Sequence, residues 1–585
     1  MSPNRRFTLA ISVILVLIVV GGLRSAKKRD VVPPPGFLAQ LELGPMENTA
    51  VHAEGRIKSF ASFANSIMDM VTGPKSFRGQ SPAMTYLDLM FRPGAYLDAD
   101  LLYVKNKPLR AEIIAALRED GAGRANPGAF QTRMDLFLEK GLISDGLLNN
   151  RRVNARMQNL GSDLIRWGKF VQMLQNAQAW KQPRVLGGSL MLVPPVPATG
   201  ERWSSILDLE RSSALNSALP GLDGAPGPAG LPDELDRRLT ESWKQLKQAW
   251  GAEDAEGVNA AVVTLAAGLR EVNPDAYPAE RRLALESFYF RQYNLTWIWM
   301  VYLLACIPLL LAVVYRWKGA RRLALLMFLV AFGLHTWALG LRWYVSGRWP
   351  NTNMFEAVTT AAWFGGVAAL AVLPWAKGVL GNVFLLSSAV ASMVAMLCAY
   401  KLPVQLNPNI GNMMPVLHDV WLYIHTNIII WSYVLIFMAA VSASLYLIWR
   451  ACGGGKAYVK LGGAGMLAMG GVDEGATEAE ASHATGAVLD GVTMVLMELS
   501  FIMLWAGLVM GAIWADHSWG RPWGWDPKEV FALNTFLVFT VLVHGRFKSR
   551  DKGLWTAWLA LIGACVMLFN WVIINFVITG LHSYA

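Results

Sequence analysis

Near its C-terminal end the chain reads Trp519-Gly520-Arg521-Pro522-Trp523-Gly524-Trp525-Asp526-Pro527-Lys528-Glu529, between two apolar runs. This loop is too polar to cross a bilayer and too aromatic for an ordinary solvated linker. It reads as a flat aromatic platform at the membrane surface. Two histidines lie at the matching depth: His425, in Trp421-Leu422-Tyr423-Ile424-His425, and His582, in Gly580-Leu581-His582-Ser583-Tyr584. Two imidazoles beside indole faces suit an iron porphyrin, because ring nitrogens supply axial ligands and indoles pack on the macrocycle. A plain interfacial aromatic belt accounts for the tryptophans. It accounts neither for the Gly-Pro spacing nor for the flanking histidine pair.

Arg521, Arg348 and Arg342 sit near the same surface and are candidate donors for the propionates of such a ligand. Asp526 is read as fixing the loop by accepting backbone or indole hydrogen bonds, not as an acid or base. His544, in Val541-Leu542-Val543-His544-Gly545-Arg546, is ionisable and lies inside an apolar run, which makes it a functional candidate. His335 makes a poor partner for it. At about 1.5 Å of rise per residue, His335 lies roughly 20 Å from the inner edge at Arg322, and His544 roughly 3 Å from its own at Arg546. A second ligand for His544 is expected from another chain, with His335 kept as an outside candidate. His517 opens the tryptophan loop and is read as a loop hydrogen bond; His418, His52 and His483 carry no argument. The four cysteines, Cys306, Cys398, Cys452 and Cys565, form no C-x-x-C pair. That argues against a thiol-disulfide carrier and a zinc site.

The elements that must position these residues are membrane helices. Of 585 residues 54% are hydrophobic and only 16% charged, below the quarter usual in soluble domains. Much of the net charge of +10 is expected to be topological, and no basic stripe marks a nucleic-acid partner. An apolar run over 7–23, lacking a small-x-small cleavage site, is expected as an N-terminal membrane anchor within residues 1–29. Residues 30–292 read as a mostly helical domain with a Pro/Gly-rich linker at 219–232. In it Leu235, Leu239, Trp243, Leu246 and Trp250 recur at helical spacing after Asp233. Eight spans follow within 293–585, at 295–315, 323–343, 355–376, 380–400, 420–449, 489–514, 529–546 and 554–579, with the tryptophan-rich loop at 515–529. The fold class is therefore an all-α polytopic membrane protein of about nine transmembrane helices. Arg316, Lys318, Arg321 and Arg322, then Lys377, then Arg450, Lys456 and Lys460, then Arg546, Lys548, Arg550 and Lys552 all fall in loops on one side, which is expected to be cytoplasmic. The N-terminus is then inside, and the 30–292 domain, the tryptophan loop and the C-terminus are extracytoplasmic.

Over residues 295–585 the sequence resembles the CcsA/ResC proteins of cytochrome c maturation, members of the tryptophan-rich haem-handling superfamily. The tryptophan loop Trp519-Gly-x-x-Trp523-x-Trp525-Asp526-Pro-Lys-Glu529 carries the resemblance. So do Gly347-Arg348-x-Pro350-x-x-Asn353-x-Phe355-Glu356, the stretch from Pro415 to Trp421-Leu422-x-x-His425, and Gly580-Leu581-His582-Ser583-Tyr584 preceded by Asn575. His544 with Arg546 falls on the family's intramembrane position. The resemblance implies that His425 and His582 are external axial ligands of haem b, and that His544 is one ligand of an entry site in the membrane. It implies transport of haem across a bacterial plasma membrane and presentation to apocytochrome c carrying Cys-x-x-Cys-His, with a ResB-type subunit as partner and a haem-lyase role. One span before the 30–292 domain departs from a ResB-type half, which brings several. The alternative from the residues is a haem-containing electron-transfer subunit, which needs ligands at two depths of one bundle. A solute transporter finds no support in internal repeats or broken helices.

Overall fold

A computed structural model describes residues 36–74, 76–121, 126–196, 202–211, 231–376, 378–403, 405–412, 419–455 and 478–574, with Arg6, Phe7, Leu9, Ala10, Val13 and Pro34; the side chains of 164–165, 233 and 478–484 are excepted. Most of the expected N-terminal anchor, residues 219–230 of the linker 219–232, Lys377, His418, Lys456, Lys460 and His582 lie outside the described residues. The chain divides into two compact units, residues 28–292 and residues 293–585 with 1–27.

In the 28–292 unit the helix expected after Leu231-Pro232 runs Asp233–Gly251 and buries Leu239, Trp243, Leu246 and Trp250. Apolar side chains of helices Phe60–Val71, Pro82–Phe91 and Ala255–Val272 complete the same core. The unit is mostly helical, as expected, with two short antiparallel strand pairs that the periodicity did not mark, β1 (Ala50–Ala53) with β2 (Arg56–Ser59) and β3 (Leu102–Tyr103) with β4 (Leu142–Ile143). The β1–β2 turn has positive φ at both Glu54 (53°) and Gly55 (72°), the twist that suits a two-residue hairpin. Glu286 holds this hairpin by accepting from Arg56 Nη2 at 2.6 Å and from the Ser59 amide at 3.1 Å. Buried Asp88 accepts from Trp250 Nε1 at 2.8 Å, from Arg92 Nε at 2.7 Å and from the Tyr96 hydroxyl. Both of these buried carboxylates therefore have partners, without which burial is costly.

Among the described residues the second unit holds eight helices long and apolar enough to cross a membrane. They are α1 (Trp299–Val314), α2 (Lys318–Ser346), α3 (Met354–Val372), α4 (Val379–Lys401), α5 (Val420–Ala451), α6 (Glu478–Trp519), α7 (Pro527–Lys548) and α8 (Lys552–Phe569), the last continued by a π turn, Asn570–Ile574. The protein is an all-α polytopic membrane protein. Several helices outrun their expected spans. α6 has 42 residues, roughly 63 Å at 1.5 Å per residue, about twice the hydrocarbon thickness.

α1 packs on α2 and α4, and α3 on α4; α5 packs on α6 and α8, and α7 on α6 and α8. α5 joins the two groups by packing on α3 and α4. Lipid gives helices no hydrophobic reason to associate, so small residues and interhelical hydrogen bonds carry the packing. Asn382 Nδ2 donates to the Ala312 carbonyl at 3.3 Å, Ser392 to Ala362 at 3.1 Å and Ser442 to Leu489 at 3.0 Å. Two ion pairs fasten one end of the second group. Arg546 pairs in bidentate fashion with buried Asp490, at 2.5 and 2.9 Å, and Arg450 pairs with Asp551 at 2.5 Å.

Burial pushes the carboxyl of Asp69, on helix Phe60–Val71, up to about 7. An unfolded aspartate titrates near 3.9, so the folded chain holds the extra proton between these values. Stability contributed by this group is present below the unfolded value and is lost as pH rises through the folded one. Thermal melts of the purified chain from about pH 5 to about pH 8 are expected to fall, and to fall less in Asp69→Asn. Equal slopes for the two proteins would contradict the assignment.

Candidate functional site

The tryptophan loop is built on the start of α7. Asp526 caps that helix by accepting from the Lys528 amide at 3.2 Å, while the Glu529 carboxylate reaches back to the Asp526 amide at 3.1 Å and the Gly524 amide at 2.8 Å. This reciprocal cap satisfies orphan donors of the first turn and fixes the loop's entry angle. Gly520 (φ 68°) and Trp525 (φ 56°) both take left-handed backbone. At Trp525 a bulky side chain bears a conformation that favours glycine.

The platform is not flat. The Trp523 and Trp525 rings stand 86° apart at 5.9 Å, the edge-to-face arrangement that ring quadrupoles favour, and Trp525 is 74% exposed. Trp519 turns back onto Trp514, with ring centroids 4.9 Å apart. Of the three loop tryptophans, Trp523 lines the adjoining cavity, and the sequence reading missed Trp514, which lines it too. Exposed Arg521 lies against Gly524, where a Cβ would come within 3.3 Å of its guanidinium.

The cavity, about 290 Å³, lies between the ends of α3, α5, α6, α7 and α8. His425, Trp523, Trp514, Lys528, Tyr433 and Trp571 are among the residues that line it. His425 Nδ1 lies 2.7 Å from the Gly507 carbonyl oxygen. A carbonyl only accepts, so Nδ1 carries the proton and Nε2 is left with the lone pair, the tautomer a metal ligand needs. At the cavity floor Asn570 Nδ2 donates to the Tyr433 hydroxyl at 3.0 Å and to Thr535 Oγ1 at 3.3 Å, at the first residue of the π turn. Such turns often mark functional sites. The lining offers a ligand-competent imidazole, indole and phenol faces, a lysine, and the Glu529 carboxylate, whose Oε2 is taken up by the Gly524 and Asp526 amides; the first four suit a planar metal-bearing ring with acidic substituents.

Arg342 and Arg348, expected as propionate donors, point instead at Glu356. Arg342 Nε and Nη2 lie 2.9 and 2.8 Å from Glu356 Oε1, and Arg348 Nη1 lies 3.0 Å from Oε2. Oε2 also accepts from the Thr352 amide at 2.8 Å and its hydroxyl at 2.9 Å. Arg342 is 1% exposed and donates to the Pro408 carbonyl at 2.8 Å as well. The clasp holds the segment Asn351-Thr352-Asn353 that lines the cavity. That segment is tied to α5 just past His425, by Asn351 Nδ2 to Thr426 Oγ1 at 2.9 Å and, from its near neighbour Trp349, by Nε1 to Asn427 Oδ1 at 2.9 Å. Glu356 was visible as an acid inside an apolar run, a signal the sequence reading left unassigned.

His544 is exposed on α7, the helix whose apolar window is least buried, at 28%. Its Nδ1 lies 2.7 Å from the Thr540 carbonyl, which again leaves the lone pair on Nε2. Phe501 stands edge-on 6.4 Å away, and Ile502, Trp505 and Val541 extend an exposed apolar face. His335 is buried beside the Tyr302 hydroxyl at 3.2 Å and packs within α1 and α2. His517 stands edge-on to Trp421. The structure thus brings His425, Trp523 and the Asp526 cap to one site, puts His544 on another face, and leaves His582 outside the described residues.

A family model for cytochrome c assembly proteins matches residues 351–582. The chain is 30% identical to the cytochrome c biogenesis protein CcsA of Prochlorococcus marinus (strain MIT 9312), over 48% of this chain and 90% of that protein. It is 29% identical to CcsA of Parasynechococcus marenigrum (strain WH8102), over 45% of this chain and 87% of that protein. Likeness to protein NrfI of Wolinella succinogenes, 24% identical, takes in 98% of this chain and 59% of that protein, and so extends over the 28–292 unit.

Replacing Glu356 by Gln leaves two cationic groups, one of them fully buried, without their counter-charge. Loss of about 3–5 kcal/mol of stability is expected. A marked fall in the thermal midpoint of the detergent-purified protein checks this; an unchanged midpoint contradicts the clasp.

Proposed function

Starting from the fact that the chain belongs to the CcsA family of cytochrome c biogenesis proteins, and so acts in cytochrome c maturation, we propose that it carries haem b across the bacterial plasma membrane and presents it to apocytochrome c for thioether attachment. The observation that carries this reading is the cavity in which His425, its Nδ1 proton committed to Gly507, faces the same space as Trp523. His425 and His582 are the axial ligands on the extracytoplasmic side. His544 is one ligand of an entry site, with the second supplied by a ResB-type subunit against the exposed face around Phe501 and Val541. The N-terminus is cytoplasmic, and the 28–292 unit, the tryptophan loop and the C-terminus are extracytoplasmic.

The chemistry asks little of this chain as a reagent. Each substrate thiol of Cys-x-x-Cys-His adds across a vinyl group: a carbon–sulfur bond forms at one vinyl carbon, the thiol hydrogen goes to the other, and no electrons are exchanged with a third party. The nucleophile comes with the substrate. This chain holds the ring and keeps the vinyl edge where thiols reach it, so its contribution is positioning. A cavity of about 290 Å³, at the low end for small-molecule sites, seats part of a macrocycle and leaves an edge outside. Lys528 and Arg521 are the cations placed for propionates, with Arg342 and Arg348 holding the frame. The histidine of the substrate motif replaces one protein imidazole, so that release follows attachment.

Changing His425 or His582 to Gly is expected to remove the six-coordinate haem spectrum of the purified protein and to cut covalent attachment to a coexpressed Cys-x-x-Cys-His substrate at least about tenfold, with millimolar imidazole restoring both. His544→Gly is expected to lower haem loading of the whole protein. If His425→Gly and His582→Gly keep native spectra and attachment, the ligand assignment is wrong. Stable haem without transfer to substrate supports an electron carrier instead.

A further inference from the structure

We infer that Gly507 and Gly511 of α6 form a seat that positions the imidazole of His425, so that ligand geometry on α5 is set by a glycine groove on the neighbouring helix. The inference rests on the reading of His425 as a haem ligand and names what aims it.

Two glycines one turn apart in a helix interior cost about 1 kcal/mol each relative to alanine, and each here meets a side chain of α5. At Gly511 an added Cβ would stand 2.7 Å from His425 Cε1, 2.9 Å from Nδ1 and 3.2 Å from Nε2. The ring lies directly on the helix backbone, and any side chain at 511 displaces it. At Gly507 an added Cβ would run into Ile429, one turn along α5 from His425. Gly507 thus lets α5 and α6 approach closely enough for its carbonyl to accept the Nδ1 proton at 2.7 Å. The two glycines act on the same ring by different means. One supplies the acceptor that fixes the tautomer; the other supplies the space that fixes the ring's position. A histidine ligand whose second nitrogen donates to a carbonyl is held in orientation and made a stronger donor. Glycines four apart on an apolar helix commonly serve helix contact alone. Here the groove also receives an imidazole, which gives it a role in ligand geometry.

The test compares Gly511→Ala with Gly340→Ala, which adds the same methyl to α2 where nothing lies within 4 Å. Purified Gly511→Ala is expected to show weakened axial ligation, a shifted haem midpoint potential and attachment reduced at least about tenfold. Gly340→Ala is expected to match the native protein. A double-mutant cycle separates seating from general damage. In a His425→Gly background, imidazole added from solution is untethered and settles beside the methyl, so rescue is expected to be equal with Gly or Ala at 511. If Gly511→Ala keeps the native spectrum and potential while His425→Gly loses its haem, the seat is wrong and the ligand reading stands. If the methyl impairs imidazole rescue as much as it impairs the native protein, the effect is structural and the seat is likewise wrong. If His425→Gly keeps the native spectrum, the ligand reading falls and the seat with it.

Discussion

The carboxylate of Glu356 is the point on which the cavity end of the bundle is organised. It is fully buried, and two guanidinium groups, a backbone amide and a hydroxyl converge on it. Two cations against one anion leave a net positive charge, which backbone carbonyls at Pro408, Asn409 and Gly411 help to absorb. A buried pair gains little over a hydrophobic pair in stability, yet removing one member is costly. Its value lies in specifying one arrangement. The clasp joins the end of α2, the start of α3 and the segment 405–411, the last of which has no regular structure to hold it at that depth. From the clasp, Asn351 and Trp349 reach Thr426 and Asn427, the residues that follow His425 on α5. The helix that carries His425 is thereby braced from one side by the clasp and from the other by α6.

His425 and His544 share a tautomer and differ in surroundings. In each, Nδ1 is bound to a backbone carbonyl 2.7 Å away and Nε2 keeps the lone pair. His544 finds its acceptor on its own helix, one turn back, and needs no neighbour to be oriented. His425 finds its acceptor on another helix, so its geometry depends on how α5 and α6 pack. The first arrangement suits a residue on an open apolar face. The second suits a residue in a cavity walled by five helix ends, where a small change of packing is felt at the ring.

Much of this was legible in the sequence because lipid constrains what can cross it. Eight apolar stretches become eight helices, since no other open backbone survives in hydrocarbon. The Asp526-x-x-Glu529 spacing marks a helix start, and α7 begins there. Roles set by tertiary contact were not legible. Arg342 and Arg348 read as anion donors because the sequence does not tell which anion they meet, and the nearest proves to be Glu356. The strands of β3 and β4, two residues each, fall below any periodicity. The loop's tryptophans suggested a flat shelf, but whether rings lie flat or edge-on is decided by packing and by a left-handed residue at Trp525, neither of which composition encodes. Trp514 was hidden as one more aromatic in an apolar helix.

The tryptophan loop has to sit at a helix start for a reason that follows from its cap. The first turn of α7 presents amides without intrahelical partners, and Asp526 and Glu529 take up amides of Gly524, Asp526 and Lys528. Two of these belong to the loop itself, so one glutamate fixes the loop and the helix together. The same turn places Lys528 at the cavity wall beside Trp523. Acidic side chains at the helix start offset the positive end of the helix dipole, and Glu529 lines the cavity together with Lys528. The cavity wall there carries a cation and a carboxylate on successive residues, so its field is directional and not diffusely positive.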